Sequence, residues 1–329
     1  MEVATGIHQY LYSFKYDRHH QDLSQLESRQ LFGVGQEDRT VFTDIELHPS
    51  ISAFIKNRLE IICFDQHFPA LLESIRKENL KTEGFKVEYV VLDNDLSTKP
   101  ERNERLKDVG YCIEAAPNFQ MPSVVYGLCL CQNVWYFGVL TTYNPDWQKH
   151  KKKPYSFSNS IGNKTAKSLV SIASKGNESA QLLDACCGVG TIMLEACYSG
   201  IRIAGCDPNP KRCHQTRENL RHFHYEAIVH CMDVNNLKGC YDSVIVDLPY
   251  NLYSYSNEDI TLKIVQSASR LGSRTVIVSI ADINSVIEKC GLQITDYCSV
   301  GKRGKSGFTR YIWVCESADT YDKSNLSSF

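Results

Sequence analysis

The chain has 329 residues, of which 43% are hydrophobic and 22% charged, and a formal net charge of −2. A single hydrophobic core rarely grows past about 250–300 residues, so two domains are expected, and the ordinary composition excludes broad disorder. Near-neutral charge excludes a globally basic nucleic-acid coat. It leaves room for a local basic groove, because phosphate binding needs lysines and arginines on one face only.

The first half mixes short strands and helices without regular alternation. "QYLYSFKY" reads as a strand, and "QDLSQLESRQLFG" as a helix with Leu23, Leu26 and Leu31 on one stripe and a stop at Gly33. "LEIICFD" and "FKVEYVVL" read as strands on either side of the helix "FPALLESIRKEN". The apolar stretch Val124 to Leu140 is broken by Gln132-Asn133, so two strands around a turn explain it better than a membrane helix of about 20 apolar residues. The pattern is α+β and occupies residues 1–148. "MEVATGIHQY" lacks the charged and apolar regions of a signal peptide, and the 14 cysteines are scattered without a CxxC pair. Reduced thiols in a soluble, cytoplasmic protein are the expectation.

Residues 149–160 read as a basic, polar linker, with Pro154 stopping regular structure. From 161 to 318 strands and helices alternate: "QLLDACC", "TIMLEACYSG", "IRIAGCD", "PKRCHQTRENLRHF", "EAIVHCMD", "SVIVDLPYN", "EDITLKIVQSASRLG", "RTVIVSI", "INSVIEKCG", "QITDYCSV" and "FTRYIWVC". Such alternation with strongly apolar strands predicts a mostly parallel sheet covered by helices on both faces. The loop "GKRGKSG" is too short for a parallel crossover, so the last two strands should be antiparallel. The tail 319–329 is polar and should fray.

Open α/β sheets bind ligands at the carboxyl ends of their strands. The first strand of this half ends in "DACCGVGT", Asp184 to Thr191, where Gly188 and Gly190 let a ligand approach the backbone at the start of a helix. Two glycines favour a nucleoside without a pyrophosphate; an NAD-dependent enzyme would prefer a third glycine, near Leu194. The second strand ends at Asp207, suited to two ribose hydroxyls. The third ends "CMDV", placing Asp233 and Val234 where an adenine is read. Singly, each acid is more readily a helix cap or a loop residue than a ligand. Together they point to S-adenosylmethionine.

With these residues in view, the second half resembles the class I S-adenosylmethionine-dependent methyltransferases. "LLDACCGVGTIMLEA" is similar to the family pattern D-P-F-C-G-[ST]-G-[ST]-I-L-I-E-A at Asp184, Cys187, Gly188, Gly190 and Glu195, with Ala185 and Cys186 as departures. The resemblance implies a Rossmann-like domain with a seven-stranded sheet whose last strand is antiparallel. "DLPY", Asp247 to Tyr250, resembles the [DN]-P-P-[YFW] motif of enzymes that methylate exocyclic amines of bases. An aniline-like amine attacks poorly because its lone pair is delocalised. Acceptors at Asp247 and the Leu248 carbonyl can hold its N–H groups, Pro249 can aim that carbonyl, and Tyr250 can stack on the base. Leu248 replaces the motif's first proline, which should leave the loop less rigid. Standing alone, D-x-P-Y favours a plain turn closing a strand.

The opening "YLYSFKYDRHHQDLSQLESRQLFG" and "KKKPYSFSNSIGNKTAKSLVSIA" resemble the THUMP-containing tRNA guanine-N2 methyltransferases, the second through Pro154, Tyr155, Ser160 and Ile161. This implies an N-terminal THUMP-like RNA-binding domain, tRNA as partner, a flipped guanine as substrate, and cofactor contacts from Tyr155 and Ser160. Lys149, Lys151, Lys152 and Lys153, flanked by Trp147 and Tyr155, would line a phosphate path or form a solvated linker. Lys302, Arg303, Lys305 and Arg310 would add a second patch. No metal-ligand spacing appears, and Cys186 and Cys187 read as packing. The competing readings are a ribosomal RNA or DNA amino-methyltransferase, and an RNA-binding protein on a decayed methyltransferase fold.

Overall fold

The computed structural model describes residues 9–157, 160–249, 258–301 and 309–317. In chain order the elements are β1 (Tyr10–Phe14), α1 (Gln21–Phe32), β2 (Thr40–Thr43), β3 (Ile55–Asp65), α2 (Phe68–Lys77), β4 (Phe85–Tyr89) and α3 (Lys99–Gly110). They continue with β5 (Val124–Cys131), β6 (Val134–Thr142), α4 (Asn163–Ser174), β7 (Gln181–Asp184), α5 (Thr191–Tyr198), β8 (Arg202–Asp207) and α6 (Pro210–His222). Last come β9 (Ile228–Cys231), β10 (Tyr241–Asp247), α7 (Glu258–Leu271), β11 (Gly272–Ser279), α8 (Asn284–Lys289), β12 (Leu292–Gly301) and β13 (Thr309–Ser317). No described helix is long and apolar enough to cross a membrane.

Two compact units result, and a single cut near residue 148 does not separate them. One holds residues 1–15, 34–50 and 54–144; the other holds 16–33, 51–53 and 145–329. The first unit is a six-stranded sheet in the order β2-β1-β3-β6-β5-β4, antiparallel except for the β4–β5 pair. Its helices pack Leu71, Ile75 and Val109 against Leu128, Trp135 and Phe137 of the sheet. Thr98 and Glu101 form a reciprocal cap at the start of α3, satisfying amides that a helix end leaves unpaired.

The second unit is a seven-stranded sheet in the order β12-β13-β11-β10-β7-β8-β9. Strands β7 to β11 pair in parallel, and β13 runs antiparallel between β11 and β12. Val244, Val246 and Ile277 of the central strands pack against Val265, Ala268 and Leu271 of α7. Helix α1 joins this unit because its apolar stripe, Leu23, Leu26 and Leu31, is buried and because its polar residues reach the same body. Arg29 forks onto Asp296 of β12 at 2.9 and 2.8 Å. Glu27, fully buried, accepts hydroxyl protons from Ser52 and Ser171, each at 2.5 Å.

The basic stretch is likewise part of the second unit rather than a linker. Pro145–Lys152 is a 3-10 helix whose Trp147 and His150 are buried. His150 Nδ1 lies 3.0 Å from Glu195 Oε1 on α5, and its Nε2 lies 3.1 Å from the Tyr225 hydroxyl. The same Glu195 oxygen accepts from Asn163 at 3.1 Å. Two partners for the buried His150 ring, one of them braced in turn by Asn163, hold the segment in a way a polar linker would not be held.

Candidate active site at the strand carboxyl ends

Strand order reverses between β7 and β10: β8 and β9 extend to one side of β7, β10 and β11 to the other. A crevice forms where successive crossovers diverge. It is a cleft of about 720 Å³ lined by the ends of four strands, including Asp184, Asp207, Asp233 and Asp247. All four strand-end acids singled out in the sequence therefore meet in one place. So do Cys187, Gly188, Val234, Leu248, Pro249 and Ser160.

Asp184 ends β7 and is only 1% exposed. Asp247 ends β10, two residues past Ile245, the partner of Asp184 in the ladder. Each carboxylate has a buried oxygen, Oδ1, with no hydrogen-bond partner among the described residues. Burial raises Asp184 well above the usual carboxylate range, and the neighbouring Asp247 charge adds to it. Burial pushes Asp247 up to about 7, against a lowering pull from Arg310. Two unpaired acceptors beside each other demand a positively charged or N–H-donating occupant.

Asp207 is held for a different task. Its Oδ2 accepts from Gly188 N–H at 3.1 Å and its Oδ1 from Asn209 N–H at 2.8 Å. Each oxygen keeps a further lone pair, so ribose hydroxyls can still be bound. Asp233 is exposed in the cleft and caps the turn Val234–Asn236 through Asn235 N–H at 2.9 Å. Gly188 and Gly190 have φ of +55° and +77°, and a Cβ at Gly188 would meet nothing closer than the Cys186 carbonyl at 3.9 Å. The backbone there is open to a ligand.

Leu248 departs from its expected behaviour. It is 1% exposed, packs in the core with Val246 and Ile264, and donates its N–H to the Val278 carbonyl at 3.0 Å. A proline could not make that bond. The turn is thus tied down by a hydrogen bond and a buried side chain where the motif's proline would use ring stiffness.

Other expected residues stand elsewhere. Tyr155 is outside the cleft lining, with a half-exposed ring; its backbone N–H and carbonyl are bound by Asn219. Arg310 is buried in β13 and does not sit on a surface patch. Lys149, Lys151 and Lys152 are exposed, whereas Lys153 is half-buried and its ammonium is lowered by that burial. Trp147 is buried and lines no surface path. Tyr250, Lys302, Arg303 and Lys305 lie outside the described residues. Among the described residues no His, Cys, Asp and Glu group could hold a metal.

The sequence reading missed four cleft-forming residues. Phe157 and Arg212 line the cleft with the guanidinium 4.7 Å from the ring centroid. Thr216 and Asn219, both fully buried on α6, hold the glycine turn from behind. A signal was available: in "PKRCHQTRENLRHF" the apolar stripe Cys213 to Leu220 is complete at helical spacing only if Thr216 is counted as buried.

Residues 151–311 match the UPF0020 family, described as an RMKL-like methyltransferase domain. The second unit carries a class I S-adenosylmethionine-dependent methyltransferase domain of this type. Among curated proteins, the tRNA (guanine(10)-N2)-dimethyltransferase of Methanothermobacter thermautotrophicus is 30% identical over 105 residues, 31% of this chain. The match spans only 31% of that relative's length. Among solved structures, TrmN from Thermus thermophilus aligns over 94% of this chain and 99% of its own, at 16% identity and a TM-score of 0.47. Magnesium protoporphyrin IX methyltransferase from Synechocystis PCC 6803, solved with bound SAM, aligns over 53% and 93%, at 17% identity and a TM-score of 0.42.

S-adenosylmethionine is the cofactor that a methyltransferase domain of this type implies. The residues present fit it: unpaired buried carboxylate oxygens on Asp184 and Asp247 suit its cationic end, and Asp207 with the open glycine turn suits its nucleoside.

Proposed function

We propose that this protein methylates the exocyclic N2 amine of a guanine in tRNA, with the target base flipped into the pocket formed by Asp247, Leu248, Pro249 and Tyr250. The observation that carries this reading is Asp247, a carboxylate with an unpaired buried oxygen at the end of β10, beside Asp184 and in the same cleft as the glycine turn. The bound donor supplies an electrophilic methyl group on a sulfonium. Asp247 accepts one amine N–H, the Leu248 carbonyl accepts the other, and the nitrogen lone pair is thereby freed for attack. The proton leaving the amine goes to Asp247 or to solvent. An acid titrating at about 7 suits that transfer near neutral pH. The intact acid set speaks against a decayed enzyme, because a binding relic has no use for it.

The guanine-N2 choice draws support from the DLPY sequence and from the partial match to the archaeal dimethyltransferase. In this reading the first unit is a THUMP-like RNA-binding module, and the exposed Lys149, Lys151 and Lys152 contribute phosphate contacts. Lys302, Arg303 and Lys305 add to them, and the protein works in the cytoplasm, where tRNA is found. Calorimetric titration with S-adenosylmethionine should show binding that is lost in Asp184→Ala. Nucleosides from the tRNA of a deletion strain should show reduced N2-methylguanosine by mass analysis. Unchanged tRNA with an altered ribosomal RNA or DNA base would reject the tRNA reading while leaving the enzyme class intact.

A further inference from the structure

Two separate parts of the chain wall the donor cleft, the glycine turn after β7 and the segment carrying Phe157 and Ser160. Among the described residues, hydrogen bonds link the two through α6. Asn219, fully buried, donates from Nδ2 to the Val189 carbonyl at 2.9 Å and to the Tyr155 carbonyl at 2.9 Å. Its Oδ1 accepts from the Tyr155 N–H at 2.9 Å. One amide side chain thus binds both backbone groups of Tyr155, as a neighbouring strand would, and the glycine turn as well. Three residues earlier on the same helix face, Thr216 donates its hydroxyl to the Gly188 carbonyl at 2.7 Å. A further turn back, Arg212 covers the Phe157 ring at 4.7 Å.

We propose that Asn219 is a positioning residue for methyl-donor binding, because it bridges the glycine turn to the segment bearing Phe157 and Ser160 and so sets the width of the cleft. The bridge needs a donor and an acceptor on one planar group. Only an amide offers both at this length: aspartate has the same shape but would turn an acceptor toward two carbonyls. Leucine has the same number of side-chain heavy atoms in a bulkier, non-planar shape and supplies neither. Size alone would tolerate aspartate best, whereas the bridge predicts that aspartate is the worst of the three.

The inference concerns donor binding and is independent of which nucleic acid is methylated. Calorimetry with S-adenosylmethionine should give a Kd raised at least about tenfold in Asn219→Leu, equivalent to about 1.4 kcal/mol, and raised further in Asn219→Asp. Affinity for bulk tRNA should stay within about twofold of wild type, and KM for the donor should rise more than kcat falls. A folded Asn219→Leu that binds the donor like wild type would overturn the proposal, as would Asn219→Asp outperforming leucine. Hydrogen exchange on the unmodified protein keeps the test open if both variants misfold. Adding donor should protect the peptides spanning 155–161 and 187–191 together; protection of the glycine turn alone would refute the bridge.

Discussion

Leu248→Pro restores the proline that amino-methyltransferases of this motif carry, and the structure predicts that it destabilises this protein. The substitution removes the N–H that donates to the Val278 carbonyl at 3.0 Å. Val278 is 1% exposed, so its carbonyl has no ready access to water, a cost of about 1–3 kcal/mol. Leucine to proline also removes about one methylene from a site 1% exposed, worth about 0.8 kcal/mol before any cavity is counted. Asp247, the preceding residue, is already in a strand, so no backbone penalty arises there. The expected loss is roughly 2–4 kcal/mol, less whatever the ring's stiffness returns, which is under about 1 kcal/mol. Urea unfolding followed by tryptophan fluorescence measures it, since Trp313 shares the core with Leu248. Stability within 0.5 kcal/mol of wild type, roughly the error of the method, would show that the leucine's burial and its N–H are not what hold the turn.

Gly190→Ala should destabilise by roughly 1–2 kcal/mol from its left-handed backbone alone, and its Cβ would lie 2.7 Å from Thr216 Cγ2. Thr216→Ser removes that methyl and keeps the hydroxyl, so the double variant should be more stable than the two single losses add up to, read by thermal melting. Asp247 titrates at about 7 when folded, above its ordinary 3.8. The folded protein therefore holds a proton that the unfolded chain has released, and stability without donor should fall as pH rises across that window, then level off above 7. Donor binding favours the ionised acid and should tighten from pH 6 to 8 with proton release, a dependence reduced in Asp247→Asn; calorimetry in buffers of different ionisation enthalpy reads both. Glu195→Ala should cost about 3–5 kcal/mol in chemical denaturation, because His150, Asn163 and the buried Lys167 lose their acidic neighbour.

The alternating half was legible because each parallel strand is a short apolar run followed by a helix with its own stripe, and the short "GKRGKSG" loop admits only an antiparallel pair. The boundaries of the two units were not. Helix α1 lies within a run of first-unit strands, yet its Arg29 reaches Asp296, 267 residues away. Nothing local in "QDLSQLESRQLFG" encodes that distance. The basic stretch misled for a related reason: four lysines around a histidine look solvated, but His150 turns inward onto Glu195, and the partner is a tertiary one.

The acids of the site were visible from sequence because each ends a strand, a position that the chain's periodicity marks. What holds the glycine turn was not visible, because Thr216 and Asn219 are polar residues on a helix whose polar majority reads as solvent-facing. Their burial is intelligible only once the turn's carbonyls are counted. A backbone opened by two glycines presents the Gly188 and Val189 carbonyls inward, and buried carbonyls must find donors. The conformation that admits a ligand on one side thus creates a demand for side-chain donors on the other. In this cleft the acids face the open side of the turn, and Thr216 and Asn219 of α6, one strand and one helix further along the chain, supply the donors that its other side requires.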